Sequence, residues 1–319
     1  MRKIGLIGVP SSEGTSSNGQ EHAPDFLREA GIVEKLREKG ADVVDFGDVD
    51  MPGCDPMMIE RMNKHMKEFG FVDGYSLPFC SQSVCHRKVS QITTNIKNKV
   101  YHVIKSGYFP LTMGGDHSLS LGAIMGVAQA NNKRMGVISA DFHYDMFDDG
   151  KRSGCQGDLD VDLHHGNWLD KVPELTKLQS CSILRKNICV IGCDSEMPFV
   201  DQEEMKELFE LFGCSLLSYA YIKKHGIQKA TEYALSLAQS GTEEIYLSFD
   251  VDCLSSRYAP GTNIRGGYMN LDEAVFLCRQ AAKTGKLAGA DITEINPYRD
   301  QNQNTINSAI QIATAMSGL

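Results

Sequence analysis

No stretch of eighteen predominantly apolar residues occurs in this chain, so the sequence offers no helix of membrane-spanning length. A run of basic residues is missing too. With 32 Lys and Arg against 41 Asp and Glu, the net charge of −9 disfavours nucleic acid or an anionic membrane as the main partner. A small polar or cationic ligand fits better. Internal repeats, low-complexity tracts and a Pro/Ser-rich linker are also lacking, which favours a single domain over residues 1–319. The ten cysteines include no CxxC pair; the close pairs Cys80/Cys85 and Cys189/Cys193 have neither zinc-ribbon nor thioredoxin spacing. Reduced thiols are expected. The apolar run after Met1-Arg2-Lys3 is too short for the middle of a signal peptide and is soon cut by Pro10. It reads as a first buried strand, in a protein expected to be cytosolic.

What is present is an alternation. β-rich runs at Lys3 to Val9, Ala41 to Phe46, Tyr108 to Met113, Met135 to Ala140, Asn187 to Gly192, Glu244 to Phe249 and Leu287 to Ile292 are separated mostly by amphipathic segments. The latter are Ala23 to Glu38, Gln91 to Lys105, Leu119 to Ala130, Glu203 to Phe212, Ile227 to Gln239 and Leu271 to Thr284. Strand followed by helix predicts an α/β fold with a mainly parallel sheet covered on both faces. Two irregular stretches, Asp50 to Gln82 and Asp148 to Asp162, read as long loops.

The chemistry-bearing residues follow the ends of those strands. Asp141-Phe142-His143-Tyr144-Asp145 comes directly after Met135 to Ala140, and in an extended backbone its three ligand-type residues would face one way. Ser248-Phe249-Asp250-Val251-Asp252 repeats the theme, Gly114-Gly115-Asp116-His117-Ser118 follows Met113, and Glu294 follows Ile292. In an open parallel sheet the carboxyl ends of the strands share one edge, where ligands bind. His117, Asp141, His143, Asp145, Asp250 and Asp252 would meet there. Two imidazoles and four carboxylates are too many for one tetrahedral zinc; the oxygen-rich set favours a harder ion such as manganese, two ions sharing bridging carboxylates. Such pairs activate water near neutral pH, which suggests a hydrolase. Each motif alone is more often a solvated turn, a helix entry or a satisfied core histidine. Four buried carboxylates without a cation would be very costly.

The motifs at 114 to 118, 141 to 145 and 248 to 252, with Asp291-Ile292-Thr293-Glu294-Ile295-Asn296-Pro297, resemble those of the ureohydrolases: arginase, agmatinase, guanidinobutyrase and formimidoylglutamase. The resemblance spans nearly the whole chain and is loosest near Ala23 to Ile32. It implies a three-layer α/β/α fold and two Mn2+ per chain. His117, Asp141, Asp145 and Asp250 would hold one ion, and His143, Asp141, Asp250 and Asp252 the other. Asp145 would also handle the proton for the leaving amine, and Glu294 would pair with the cationic amidine or guanidinium. His165 matches the family's proton-shuttling histidine, with His164 adjacent. A homo-oligomer, trimer or hexamer, is implied as well.

Substrate recognition departs from the arginase pattern. Phe147 stands where an Asn is expected, Asp162-Leu163-His164-His165-Gly166 replaces Ser-Gly-Asn-x-His-Gly, and Ile191-Gly192-Cys193-Asp194-Ser195-Glu196-Met197 lacks the final Asp. Ser255-Ser256-Arg257 follows Leu254 where the family has Asp-Pro. Arg257 or Arg265 could receive a substrate carboxylate, as formimidoylglutamate would need, against the plainer role of an exposed loop arginine. The expected function is cleavage of a guanidino or amidino C–N bond. A silent binding or assembly subunit and a single-zinc deacetylase-like enzyme are the alternatives.

Overall fold

A computed structural model of the chain describes residues 2–52, 82–146, 163–177, 183–193, 213–264 and 266–319. Eight strands form one sheet: β1 (Lys3–Gly8), β2 (Asp42–Asp48), β3 (Phe109–Met113), β4 (Met135–Ala140), β5 (Ile188–Cys193), β6 (Ser215–Ser218), β7 (Glu244–Asp250) and β8 (Leu287–Thr293). All neighbouring pairs are parallel, in the order β2-β1-β3-β8-β7-β4-β5-β6. Among the described residues the helices are α1 (Ala23–Glu29), α2 (Ile32–Glu38), α3 (Gln82–Lys105), α4 (Leu119–Asn131), α5 (Trp168–Lys177), α6 (Tyr219–His225), α7 (Ile227–Ala238), α8 (Leu271–Lys283) and α9 (Asn304–Met316).

Every residue of the central strands β4 and β7 is buried, as the near-continuous apolar runs predict for strands covered on both faces. Successive side chains go to opposite layers. Ile138 and Ala140 of β4 join Leu247 and Phe249 of β7 in a core with α1, α2 and α6 to α9, whereas Val137, Val190 and Tyr246 pack with α3, α4 and α5. The result is a three-layer α/β/α arrangement.

Two expectations about elements need correction. The segment Ala23 to Glu38 is two helices, because Gly31 adopts φ 80° between them, a left-handed conformation that breaks the helical hydrogen-bond run. Strand β6 and helices α5, α6 and α9 add to the elements anticipated. The expected helix at 203–212, nearly all of the loop at 50–82 and the loop at 148–162 lie outside the described residues.

Chain order and sheet order diverge in the middle, and this divergence places the site. β3 and β4 are consecutive in sequence, yet β8 and β7 lie between them. The register pairs Ala140 with Phe249, Asp250 with Thr293, and Met113 with Ile292. The residues immediately following β3, β4 and β8, together with the end of β7, therefore crowd one short stretch of the sheet edge, where the connections part in opposite directions.

Candidate metal centre

The turn out of β3 is built on two glycines. Gly114 and Gly115 have φ of 85° and 78°, and a Cβ would lie 2.5 Å from Pro24 Cδ at the first and 2.8 Å from the Val9 carbonyl oxygen at the second. Only glycine fits such backbone approach without a shift. The turn delivers His117, wholly buried, against three carboxylates. Its Nδ1 lies 3.1 Å from Asp141 Oδ2, 3.0 Å from Asp145 Oδ2 and 3.1 Å from Asp250 Oδ2. His143 Nδ1 is 2.9 Å from Asp252 Oδ2 and 3.6 Å from Asp141 Oδ1.

Two groups of ligand-type atoms result: His117 with Asp141 and Asp145, and Asp141 with His143 and Asp252. Asp141 belongs to both. All six residues singled out from the sequence thus come together, although not by the pleat that their spacing suggested. Strand β4 ends at Ala140, the chain bends at Phe142 and His143, and Asp145 has φ 46°. Bending rather than alternation turns Asp145 toward His117. Asp145 and Glu294 (φ 63°) are both non-glycine residues in the left-handed region, a conformation usually retained only where surrounding contacts hold it.

Backbone N–H groups fix several of the carboxylates. Asp141 Oδ1 accepts from His143 N at 2.7 Å, Asp250 Oδ1 from Asp252 N at 2.8 Å, and Asp252 Oδ1 from Phe142 N at 3.2 Å. Yet His117 Nδ1 and Asp141 Oδ2, although 3.1 Å apart, form no aligned hydrogen bond, a costly state for buried polar atoms. A cation between them would satisfy both. Hard carboxylate oxygens with two imidazoles form a donor set suited to divalent first-row ions, so the residues present fit a metal.

The protonation pattern points the same way. Burial pushes Asp145 up to about 6, with the Asp141 charge adding to it, and burial with the charges of Asp252 and Asp141 drives Asp250 well above the carboxylate range. Burial likewise raises Asp252. Burial opposes the imidazolium of His117, but its carboxylate partners Asp141, Asp145 and Asp250 outweigh that and raise it well above normal; against the same opposition, Asp252 and Asp141 bring His143 to about 12. Asp141 stays below the usual range despite burial because of His117 and His143. In the cation-free cluster, protons on the imidazoles offset the carboxylate charge. Divalent ions would displace those protons.

Around this cluster stand contacts that no sequence motif announced. His117 Nε2 meets Ser248 Oγ at 2.8 Å, Ser248 donates to Asp291 Oδ1 at 2.7 Å, and the Tyr246 hydroxyl donates to Asp291 Oδ2 at 2.7 Å. This relay fixes which ring nitrogen of His117 faces the carboxylates. Trp168 Nε1 donates to Asp145 Oδ2 at 2.8 Å.

Glu294, also buried, accepts from the His117 backbone N–H and from Gln20 Nε2, each at 2.9 Å. His165 Nδ1 lies 3.5 Å from Glu294 Oε1, and that carboxylate raises His165 to about 9 against the effect of burial. His164 turns elsewhere, its Nδ1 accepting from Gly166 N. Arg257 is exposed, with its guanidinium 5.7 Å from the Tyr258 ring centroid. Arg265, Phe147, Asp162 and residues 194–197 lie outside the described residues. The buried cysteines 189, 193, 214, 253 and 278 are not in disulfides.

Comparison with known proteins agrees with this arrangement. Residues 2–318 match the Arginase family. Human Arginase-1 is 32% identical, the alignment covering 100% of this chain and 94% of that protein. Among solved structures, arginase from Bacillus caldovelox superposes with a TM-score of 0.77 at 24% identity, covering 100% and 99% of the two chains. Formiminoglutamase from Trypanosoma cruzi, solved with Mn2+, superposes with a TM-score of 0.70 at 19% identity, covering 99% and 92%. The chain belongs to the arginase family, a group of ureohydrolases, and it has that family's α/β fold. No helix among the described residues is long and apolar enough to cross a membrane.

Proposed function

We propose that this protein is a binuclear-manganese ureohydrolase that cleaves a guanidino or amidino C–N bond of a small molecule. The observation that carries the reading is Asp141, shared by two groups of ligand-type atoms, with a buried oxygen that makes no aligned hydrogen bond. His117, Asp141, Asp145 and Asp250 would hold one ion; His143, Asp141, Asp250 and Asp252 would hold the other. The ions would supply an acidified water as the nucleophile for the guanidino or amidino carbon.

The chain's own residues supply the remaining functions. Glu294 offers a buried negative charge to the cationic end of the substrate, a charge-assisted contact. His165, part exposed and beside Glu294, would exchange protons between solvent and the site. Asp145 takes the proton destined for the leaving amine. Human Arginase-1 and the Trypanosoma cruzi formiminoglutamase bear the names of two different substrates. The sequence departs from the arginase pattern at positions that the pattern assigns to substrate recognition rather than to metal ligation. We therefore assign the bond type and leave arginine, agmatine, guanidinobutyrate and formimidoylglutamate as the substrates to test.

Metal analysis of the purified protein, followed by turnover assays on those four compounds with added Mn2+, tests the assignment. About two manganese ions per chain and release of urea or formamide from one compound are expected. Protein that binds no metal and is inert on all four would favour a silent binding subunit and overturn the proposal.

A further inference from the structure

The chain contains a single tryptophan, Trp168, and it is completely buried at the start of α5. It touches two members of one ligand group. Its indole N–H donates to Asp145 Oδ2 at 2.8 Å, and its ring lies 4.7 Å, centroid to centroid, from that of His117. The next residue, Leu169, donates its backbone N–H to the Asp145 carbonyl at 3.2 Å. Asp145 is thus held at both its side chain and its main chain by the first turn of α5. It is also the residue of the cluster with the unfavourable φ of 46°, which needs external restraint.

An indole nitrogen carries a donor and no acceptor, so Trp168 cannot itself be a ligand. Buried, it needs an acceptor, and the nearest is a carboxylate whose other contact is His117 Nδ1 at 3.0 Å. The bond restrains the Asp145 side chain at the same oxygen that faces His117 Nδ1. Removal of the N–H would leave the carboxylate free to turn and the strained backbone with one restraint fewer.

We infer that Trp168 is a positioning residue of the metal centre, acting through Asp145. The inference rests on the metal-centre reading of the cluster. Outer hydrogen-bond partners of ligands typically change metal affinity by about 10- to 100-fold, and Trp168 is expected to do so through its N–H rather than through its bulk. The same position makes the indole an optical probe of occupancy, since a paramagnetic ion beside it quenches its emission.

Two proteins separate the N–H from the ring. Trp168→Phe keeps an aromatic side chain, and biosynthetic replacement of tryptophan by β-(3-benzothienyl)alanine keeps the bicyclic shape with sulfur in place of N–H. A single tryptophan makes the second replacement site-specific. Titration with Mn2+ alone, followed by calorimetry, is expected to show wild-type stoichiometry with affinity reduced about 10- to 100-fold in both. Indole emission of the wild-type protein should fall during the same titration and stay unchanged in Asp141→Asn. Wild-type affinity in the benzothienyl protein would overturn the inference while leaving the metal centre intact. A wild-type protein that takes up no Mn2+ would overturn the metal centre and this inference with it.

Discussion

Glu294 is buried yet ionised, held below the usual carboxylate range because His165, Gln20 and the His117 N–H outweigh the cost of burial. Replacing it by glutamine removes the charge while keeping the shape. The loss of a hydrogen bond to a charged partner, about 1.5 to 3 kcal/mol, predicts a kcat/KM lower by roughly 10- to 100-fold in Glu294→Gln, with unchanged metal content. Steady-state kinetics on the best substrate, with metal analysis, checks this; an unchanged kcat/KM would remove Glu294 from the substrate's path. At this scale the ligand-type residues were legible because His and Asp at strand ends leave a pattern in sequence. Trp168 and Gln20 were not. Gln20 lies 274 residues from Glu294 and Trp168 lies 23 from Asp145, and neither residue type announces a donor role without the fold that brings it there.

Individual elements divide into those that support the site and those that support only the fold. Asn270 caps α8 through a reciprocal capping box with Glu273. Asn270→Ala should cost about 1 kcal/mol, a fall of about 2 °C in Tm, with manganese binding unaltered. Gly114→Ala should do more, since it combines a positive φ with a Cβ driven into Pro24. Both Tm and manganese affinity should fall, because the same turn delivers His117. Calorimetry and Mn2+ titration of the pair test the contrast, and an unaltered affinity in Gly114→Ala would show that the turn is not coupled to the cluster. Seven of the eight strands could be read from the sequence: six because burial leaves nearly continuous apolar runs, and the edge strand β2, mostly half-buried or exposed, from the β-rich run Ala41 to Phe46. The exception, β6, has four residues at the sheet edge and alternates buried with half-buried positions, too brief a pattern to register. Gly31 splits the segment at 23–38 for a reason visible only in its φ.

For the molecule as a whole, the cluster links stability to pH. Asp145 has a folded value of about 6, above the ordinary carboxylate value of about 3.9. Its stabilising contribution is fully present below about pH 3.9 and is lost as pH rises through about 6. The raised imidazoles act in the same sense, fully stabilising below about 6.5 and losing that contribution as pH climbs through their folded values, about 9 for His165 and about 12 for His143. Asp141, shifted down, acts below this window. Metal-free protein should therefore melt at progressively lower temperature from pH 5 to pH 9. Metal affinity rises with pH because protons compete for the same atoms, so the Tm gap between manganese-loaded and chelated protein should widen over that range. Thermal scans with and without chelator measure it; a gap that narrows toward pH 9 would contradict the assignment of these groups.

The position of β7 and β8 has a further consequence, during synthesis. Both strands lie in the middle of the sheet, between β3 and β4, although they come from the final quarter of the sequence. A nascent chain that has reached only α7 therefore holds β3 and β4 as two open edges with nothing to join them. Unpaired edges of apolar strands invite pairing with other chains. The sheet can close only when residue 293 is available, so the half-made protein is the species in greatest need of a chaperone. Any truncation before β7 should yield aggregate rather than a smaller folded unit.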